Sequence, residues 1–330
     1  MTARRLCVLA LVVALASACT AAYDNDGDWA VIGRLTTPLA KAPDAVSVVV
    51  DSDLAPDDLV ALAYLLRHPR VRVLAVTMPT TGLVTCPMGL DLLADLTVAV
   101  RVPPVPVACG TARRGRHGKP FPAAWSLGAT TDSGLEPDAS NASVPVTSPE
   151  PAHRLVGRLA REQPGLQVVA LGPLTELAAL LRHDPDAYAG IASVVAMTGV
   201  VEGDSQQDGI GEWNAAADPD ALAQLLDGPV PVTVVPHEVA PLGPPEGKRA
   251  PVVGAIGTLT AFPTPRFWDL AAAGYFTSPG SGTTTAGTWT VNLTDDLGRL
   301  TWAGAGDDVV VTSLDPDALD AAYAEIFVPE

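Results

Sequence analysis

The chain has 330 residues, 48% of them apolar, which suffices for the core of one large domain or two small ones. Its 20 Lys and Arg face 37 Asp and Glu, for a formal net charge of −17. This excess of negative charge argues against nucleic acid as a partner, because it would repel the phosphates.

The first 19 residues have the layout of a secretory signal. Arg4 and Arg5 precede an apolar run that is too short to span a bilayer comfortably, and small residues then lead to Cys19. The last four residues, ASAC, resemble the lipobox of bacterial lipoproteins, with Ala16 where that pattern usually has Leu. We therefore predict an extracytoplasmic protein held on the outer face of the cell membrane by a lipid at Cys19. Simple secretion is the alternative, and residues 20–45 would form a linker.

Apolar, Val-rich runs alternate with helix-like stretches along the next part of the chain. The predicted strands are VSVVVD (46–51), VRVLAVT (71–77), LQVVAL (166–171), IASVVAM (191–197) and VPVTVV (230–235). The predicted helices cover 57–67, 87–98, 174–183 and 218–226. Continuous apolar strands of this kind are buried on both faces. The pattern therefore predicts a largely parallel, open, Rossmann-like α/β sheet with helices on both faces.

Two stretches and the C-terminal tail depart from this alternation. Residues 111–148 are rich in Gly, Pro, Ser and Thr and are predicted to be a long surface excursion, as are residues 241–252. From residue 288 onward, TWTVNL, GRLTWAG and DDVVVTSL predict a small antiparallel appendage. We therefore expect one domain over 46–287 and a β-rich extension packed on it over 288–330.

Two cysteines follow the signal-like segment, Cys86 and Cys109. Outside the cytoplasm, two such thiols are often joined in a disulfide. Buried free thiols that pack as small apolar groups are the alternative.

Four aspartates follow the first predicted strand: Asp51, Asp53, Asp57 and Asp58. Asp57 and Asp58 come after Pro56, so they could simply open a helix and face the positive end of its dipole. That explanation leaves Asp51 and Asp53 unaccounted for, and neither Lys nor Arg occurs from 46 to 66. Clustered carboxylates raise one another's pKa unless a positive charge is present, and a hard divalent cation would supply it. In open α/β sheets such sites lie beyond the carboxyl ends of the strands.

The segment resembles the signature Asp-x-Asp-Pro-Gly-x-Asp-Asp of the inosine–uridine nucleoside hydrolases, with Leu54 and Ala55 in place of Pro-Gly. Further segments resemble the motifs of that family in the same order over roughly 46–273: LAVT (74–77), LGPLTELAALL (171–181), VVAMTG (194–199), GEWNAAADPDA (211–221) and FWDLAAA (267–273).

The resemblance implies water-dependent cleavage of the N-glycosidic bond of ribonucleosides with one tightly held Ca²⁺. It assigns the ion to Asp53, Asp58, the backbone carbonyl of Leu171 and Asp269. Asp53 would also be the general base that takes the proton of the attacking water. The ion would orient that water and make it more acidic.

The same resemblance assigns the ribose hydroxyls to Asp57, Glu212 and Asn214, places Met197 beneath the sugar, and puts Trp268 at the substrate. Trp268 stands where some members have a histidine that protonates the leaving base, so no base preference can be carried over. Without the other motifs, Asp269 would be an ordinary helix N-cap and Glu212 and Asn214 solvated turn residues.

One departure from the family bears on activity. The asparagine that follows a glycine after the second strand is replaced, since Gly82 precedes Leu83. A hydrogen bond to the ribose or around the metal is then missing or supplied elsewhere. One alternative is therefore a nucleoside-binding lipoprotein with impaired catalysis. A second alternative is a phosphatase of the haloacid dehalogenase type, because VVVDSD resembles the Asp-x-Asp strand end of that class. A nucleoside is the expected partner, and a homo-oligomer is possible.

Overall fold

The computed structural model describes residues 37–131, 146–203, 210–241, 266–324 and 326. The predicted signal segment, Cys19 and the first part of the linker lie outside the described residues. In the part of the chain that the structure describes, no helix has the length and apolar character needed to cross a membrane.

Strands and helices alternate along most of the described chain. The strands are β1 (Val46–Asp51), β2 (Val71–Met78), β3 (Pro106–Cys109), β4 (Val146–Thr147), β5 (Gln167–Ala170), β6 (Ser193–Met197), β7 (Val232–Val235), β8 (Gly282–Val291) and β9 (Leu300–Leu314). The helices are α1 (Pro56–Arg67), α2 (Cys86–Ala99), α3 (Ala123–Thr131), α4 (Ala152–Glu162), α5 (Thr175–His183), α6 (Pro185–Tyr188), α7 (Trp213–Ala217), α8 (Pro219–Leu226), α9 (Trp268–Thr277) and α10 (Pro316–Ala324). The four predicted helices are therefore confirmed.

The strands form one sheet in the order β4-β3-β2-β1-β5-β6-β7-β9-β8, and only the pairing of β8 with β9 is antiparallel. Strand β1 pairs in parallel with β2 on one side and with β5 on the other. The chain thus winds outward from β1 in one direction and then from β5 in the other. The carboxyl ends of β1 and β5 flank the point where this order reverses, which is where ligands bind in open α/β sheets.

Helices cover both faces of the sheet, as the apolar strands predict. Successive residues of β1 point to opposite faces. Val48 and Val50 pack in one apolar cluster with α1, α2 and α9, whereas Val49 packs in a second cluster with α4, α5 and α8. Both clusters consist of buried side chains, so the sheet forms the middle layer of three.

The C-terminal strands extend the main sheet. Most of the segment GRLTWAG and all of DDVVVTSL lie in one long strand, β9, which pairs in parallel with β7 and antiparallel with β8. Strand β8 begins at Gly282, before the predicted boundary at residue 288. Helix α10 follows, and the hydroxyl of Tyr323 donates to the carbonyl of Leu270 in α9 at 2.9 Å. The predicted antiparallel pair is therefore present, with β9 hydrogen-bonded directly to β7.

The excursion after β3 contains helix α3 and the two-residue strand β4, and residues 132–145 lie outside the described chain. Most of the second predicted excursion, from residue 242 onward, also lies outside it. Cys86 and Cys109 form a disulfide, with 5.6 Å between their Cα atoms. Of the two alternatives for these thiols, the disulfide is the one that the fold adopts.

Candidate active site

The four aspartates lie between the end of β1 and the first turn of α1, at the carboxyl edge of the sheet. Asp51 ends β1, and Asp57 and Asp58 follow Pro56 in α1. All of them, with Asp53 between, are buried. Carboxylates that only stabilise a helix start are normally solvated, because an unpaired buried charge is costly. The helix dipole alone therefore does not explain this cluster.

Asp269, the second residue of α9, brings a further carboxylate to Asp58. One oxygen from each of Asp57, Asp58 and Asp269 lies within 4.8 Å of the others. Oδ1 of Asp58 accepts hydrogen bonds from the hydroxyl of Ser52 at 2.5 Å and from the N–H of Asp53 at 3.2 Å. Among the described residues, Oδ2 of Asp58 and Oδ1 of Asp269 are buried and accept no hydrogen bond. Buried carboxylate oxygens without donors suit a hard divalent cation such as Ca²⁺.

The charge state of this cluster depends on a counter-charge. Burial raises the pKa of Asp58 and of Asp269 well above the ordinary value, and neighbouring carboxylates raise both further. Burial also raises the pKa of Asp57. Without a counter-charge the ionised forms of these carboxyl groups are therefore disfavoured, and a divalent cation among them would favour ionisation.

Asp53 is held by the loop that follows β2. Its Oδ2 accepts a hydrogen bond of 2.8 Å from the backbone N–H of Leu83. A Cβ atom at Gly82 would lie 2.3 Å from Cβ of Asp53, and one at Gly172 would lie 3.0 Å from it. Burial raises the pKa of Asp53 to about 7, although the bond from Leu83 opposes the shift. The side chain is thus fixed by close packing with both glycines and by the backbone N–H of Leu83.

The bond from Leu83 bears on the asparagine that the sequence lacks. Because the donor is a backbone N–H, Leu in place of Asn leaves it intact. The side chain of Leu83 is apolar and buried. Unlike the amide of an asparagine, it adds no polar group to the site. Sequence comparison indicates only the loss of an amide side chain, whereas the structure shows which hydrogen bond to Asp53 the main chain supplies.

Asn214 links two strand ends at the site. Its Nδ2 donates to the carbonyl of Leu171, just beyond β5, at 2.6 Å and to the carbonyl of Met197, the last residue of β6, at 3.2 Å. The carbonyl of Leu171 is a predicted metal ligand, and a carbonyl oxygen has two lone pairs, so the bond from Asn214 leaves one available. Asn214 is buried, which contradicts the alternative of a solvated turn residue.

Glu212 has a structural role that the sequence did not indicate. It is the N-cap of α7, where its carboxylate accepts from the N–H groups of Asn214 at 2.7 Å, Ala215 at 2.9 Å and Gly199 at 3.0 Å. Burial raises its pKa to about 7 despite these bonds, and the nearby Asp53 raises it slightly. The predicted contact with the ribose hydroxyls would use the remaining lone pairs of the Glu212 carboxylate.

Trp268 opens α9 and stacks on His237, with ring centres 5.0 Å apart and an angle of 26° between the planes. Its indole N–H donates to the carbonyl of His237 at 3.1 Å. Since an indole has only that one donor, Trp268 can offer a substrate its ring but no proton. A second aromatic group lies beside α7, where Trp213 packs on Phe121 and Trp125.

The backbone conformation of the loop between β1 and α1 is incompatible with a proline at position 54, where the family motif has one. Leu54 has a φ of 56°, in the left-handed region that side-chain-bearing residues rarely adopt. Proline fixes φ near −65°, so it cannot take this conformation. The N–H of Leu54 donates to the hydroxyl of Ser52 at 3.2 Å, and that hydroxyl donates to Asp58. Ser52 is thus a site residue that sequence patterns alone did not identify.

The chain is similar in sequence to known ribonucleoside hydrolases. The chain is 30% identical over 206 residues to the pyrimidine-specific ribonucleoside hydrolase RihA of Klebsiella pneumoniae subsp. pneumoniae, covering 59% of this chain and 61% of the relative. The chain therefore spans about three fifths of the length of the curated relatives it matches. RihA of Salmonella agona is 29% identical over 209 residues, with the same shares.

Solved structures show the same fold. An inosine-uridine preferring nucleoside hydrolase from Bacillus anthracis superposes with a TM-score of 0.72 at 20% identity, covering 85% of this chain and 98% of the other. A purine-preferring ribonucleoside hydrolase from Gardnerella vaginalis gives 0.69 at 19% identity, with the same coverage. The family description "Inosine-uridine preferring nucleoside hydrolase" matches residues 48–299. This match includes every predicted site residue, and the chain belongs to the inosine-uridine preferring nucleoside hydrolase family.

Proposed function

We propose that this protein hydrolyses the N-glycosidic bond of ribonucleosides, giving the free base and ribose, with one Ca²⁺ at the site. Asp53, Asp58, the carbonyl of Leu171 and Asp269 would hold the ion. The observation that carries the proposal is the pair of buried carboxylate oxygens, on Asp58 and Asp269, that accept no hydrogen bond among the described residues. Membership of the family supports the reaction class.

The proposed donors are three carboxylates and one carbonyl, and Ca²⁺ prefers oxygen ligands of these kinds. Asp57 also brings a carboxylate oxygen close to those of Asp58 and Asp269. When bound, Ca²⁺ would orient a water molecule and lower its pKa. Neutralising the cluster would also offset the cost of burying several carboxylates together.

Asp53 would take the proton of the attacking water. Burial raises the pKa of Asp53 to about 7 in the metal-free chain, and a bound cation would favour its ionised form, which is the form that accepts a proton. Its close packing against Gly82 and the bond from Leu83 hold the accepting group in one position. Such preorganisation reduces the rearrangement needed during reaction.

Asp57, Glu212 and Asn214 would bind the ribose hydroxyls above Met197. Cleavage of a glycosidic bond passes through a transition state with positive charge on the sugar ring. Carboxylates placed around that ring stabilise the developing charge. The leaving base would lie against the ring of Trp268, whose N–H is already donated to His237. Stacking would therefore hold the base without supplying a proton from Trp268.

The proposed location is outside the cytoplasm, with a lipid at Cys19. The signal-like N-terminus and the disulfide between Cys86 and Cys109 support this, since disulfides persist in oxidising compartments. Replacement of Cys19 by Ser should release the protein from membranes or block its processing. A mature N-terminus at another residue would leave simple secretion.

The function is tested with the purified protein, Ca²⁺ and a panel of purine and pyrimidine ribonucleosides, by assay of reducing sugar. The variant Asp53→Asn should lower kcat by about 10²–10⁴-fold, because Asn cannot accept the proton. The exposed Asp91→Asn is the matched control and should behave as wild type. If the Asp53→Asn variant is as active as wild type and holds the same amount of metal, Asp53 is not the general base. Wild type that binds nucleosides without hydrolysing them supports the binding-protein alternative.

A further inference from the structure

We propose that the disulfide between Cys86 and Cys109 is a positioning element for Asp53, an inference that rests on the proposed function of this side chain. The bond would act through the loop of residues 79–85, which connects β2 to α2. The oxidised protein would hold Asp53 ready for catalysis, and the reduced protein would remain folded with a lower kcat.

The sheet and the disulfide fix the two ends of this loop to the same strand, β3. The loop leaves β2 at Met78, which lies opposite Cys109 in the parallel pairing of β2 with β3. The N–H of Gly110 donates to the carbonyl of Met78 at 2.7 Å. The loop ends at Cys86, the first residue of α2, which is bonded covalently to Cys109. The neighbouring residues Gly110 and Cys109 therefore anchor the start of the loop by a hydrogen bond and its end by the disulfide.

The loop contacts Asp53 at three successive residues. The N–H of Leu83 donates to Oδ2 of Asp53 at 2.8 Å, and the N–H of Val84 donates to its backbone carbonyl at 3.1 Å. Gly82 packs so closely that a Cβ atom there would lie 2.3 Å from Cβ of Asp53. Thr81 adds a hydroxyl contact of 2.7 Å to Thr175 at the start of α5. Displacement of the loop would therefore move the donor and the packing surface of Asp53 together.

The disulfide is placed where its loss would act on the loop first. Neither cysteine is fully buried. Cys86 lies two residues after Val84, whereas the strands on both sides of β1 keep their own ladders of hydrogen bonds. Reduction would thus free the end of the loop nearest to the two N–H groups that bind Asp53, while the sheet stays intact.

The test compares the full chain, oxidised and reduced with dithiothreitol, and the double variant Cys86→Ser/Cys109→Ser. Amide hydrogen exchange at Leu83 and Val84 should accelerate on reduction, because exchange reports local opening. The kcat for a ribonucleoside should fall about 10–100-fold, as expected for a displacement of about 1 Å at a reacting group. KM should change less than about threefold, and dithiothreitol should not affect the double variant.

The outcomes separate this inference from the proposed function. Unchanged kcat in the reduced, folded protein, or unchanged exchange at Leu83 and Val84, overturns the inference and leaves the bond a role in stability alone. Oxidised wild type that hydrolyses no nucleoside refutes the proposed function, and the exchange measurement still decides whether the bond holds the loop. If the double variant does not fold, reduction of the folded wild type supplies the same comparison.

Discussion

Replacement of Gly82 by Ala tests whether Asp53 must keep its position. The new Cβ atom would lie 2.3 Å from Cβ of Asp53 and 3.3 Å from its Cα and Cγ. Nonbonded carbon atoms pack at about 3.5–4.0 Å. Asp53 and the loop after β2 must therefore separate by more than about 1 Å, which would lengthen the hydrogen bond from Leu83.

The size of the effect follows from this displacement. Overpacking of a well-packed interior costs typically about 1–3 kcal/mol of stability. A displacement of about 1 Å at a reacting group can lower the rate by about 10²-fold. We therefore expect Gly82→Ala to lower kcat by about 100-fold and the free energy of unfolding by about 1–3 kcal/mol.

Two further glycines make the experiment a graded series. A Cβ atom at Gly172 would lie 3.0 Å from Cβ of Asp53, so Gly172→Ala should have a smaller effect on kcat. A Cβ atom at Gly280 would meet nothing within 4 Å, so Gly280→Ala is the matched control. The assay is kcat from release of reducing sugar, with urea unfolding on the same samples. Wild-type kcat in Gly82→Ala, or equal losses in all three variants, would refute the reasoning.

Three other predictions follow from the described residues. Asp58→Asn should weaken Ca²⁺ binding about tenfold or more, because it removes a charged ligand; calorimetric titration showing wild-type affinity would contradict the site. Burial lowers the pKa of His68 to about 4 from 6.5, so the unfolded chain binds more protons between these values and stability should fall as the pH drops from about 6.5 to 4. His68→Gln should reduce this dependence in urea unfolding measured across that range, with the exposed His183→Gln as the control variant. Reduction of the disulfide, which joins residues 23 positions apart, should lower the free energy of unfolding by about 3 kcal/mol; identical urea midpoints would disprove this.

Local patterns in the sequence were sufficient for the central part of the fold. Apolar runs and the helix-like stretches between them depend on side chains a few positions apart, so the four predicted helices and the largely parallel sheet are confirmed. Strand β3 (Pro106–Cys109) was not predicted, because it has only four residues and follows two prolines. The ordered motifs also indicated the family correctly.

The C-terminal strands show the limit of local patterns. Their alternation predicted an antiparallel pair, and β8 and β9 form one. No periodicity within β9 indicates that it also pairs with β7, because the position of a strand in a sheet depends on where the whole pair docks. The disulfide between Cys86 and Cys109 also depends on tertiary structure, since the two cysteines can pair only if β3 lies beside the start of α2.

The same distinction holds for the site. The sequence by itself determined that carboxylates gather behind β1, and its motifs named Asp269 as their distant partner. Only the tertiary structure decided that Asp58 and Asp269 share a buried space, because that depends on α9 packing against α1. It also decided that Glu212 caps α7 and that the main chain of Leu83 supports Asp53. Hydrogen bonds of backbone groups depend on how loops from different strands pack together. The type of side chain at a position therefore does not predict them.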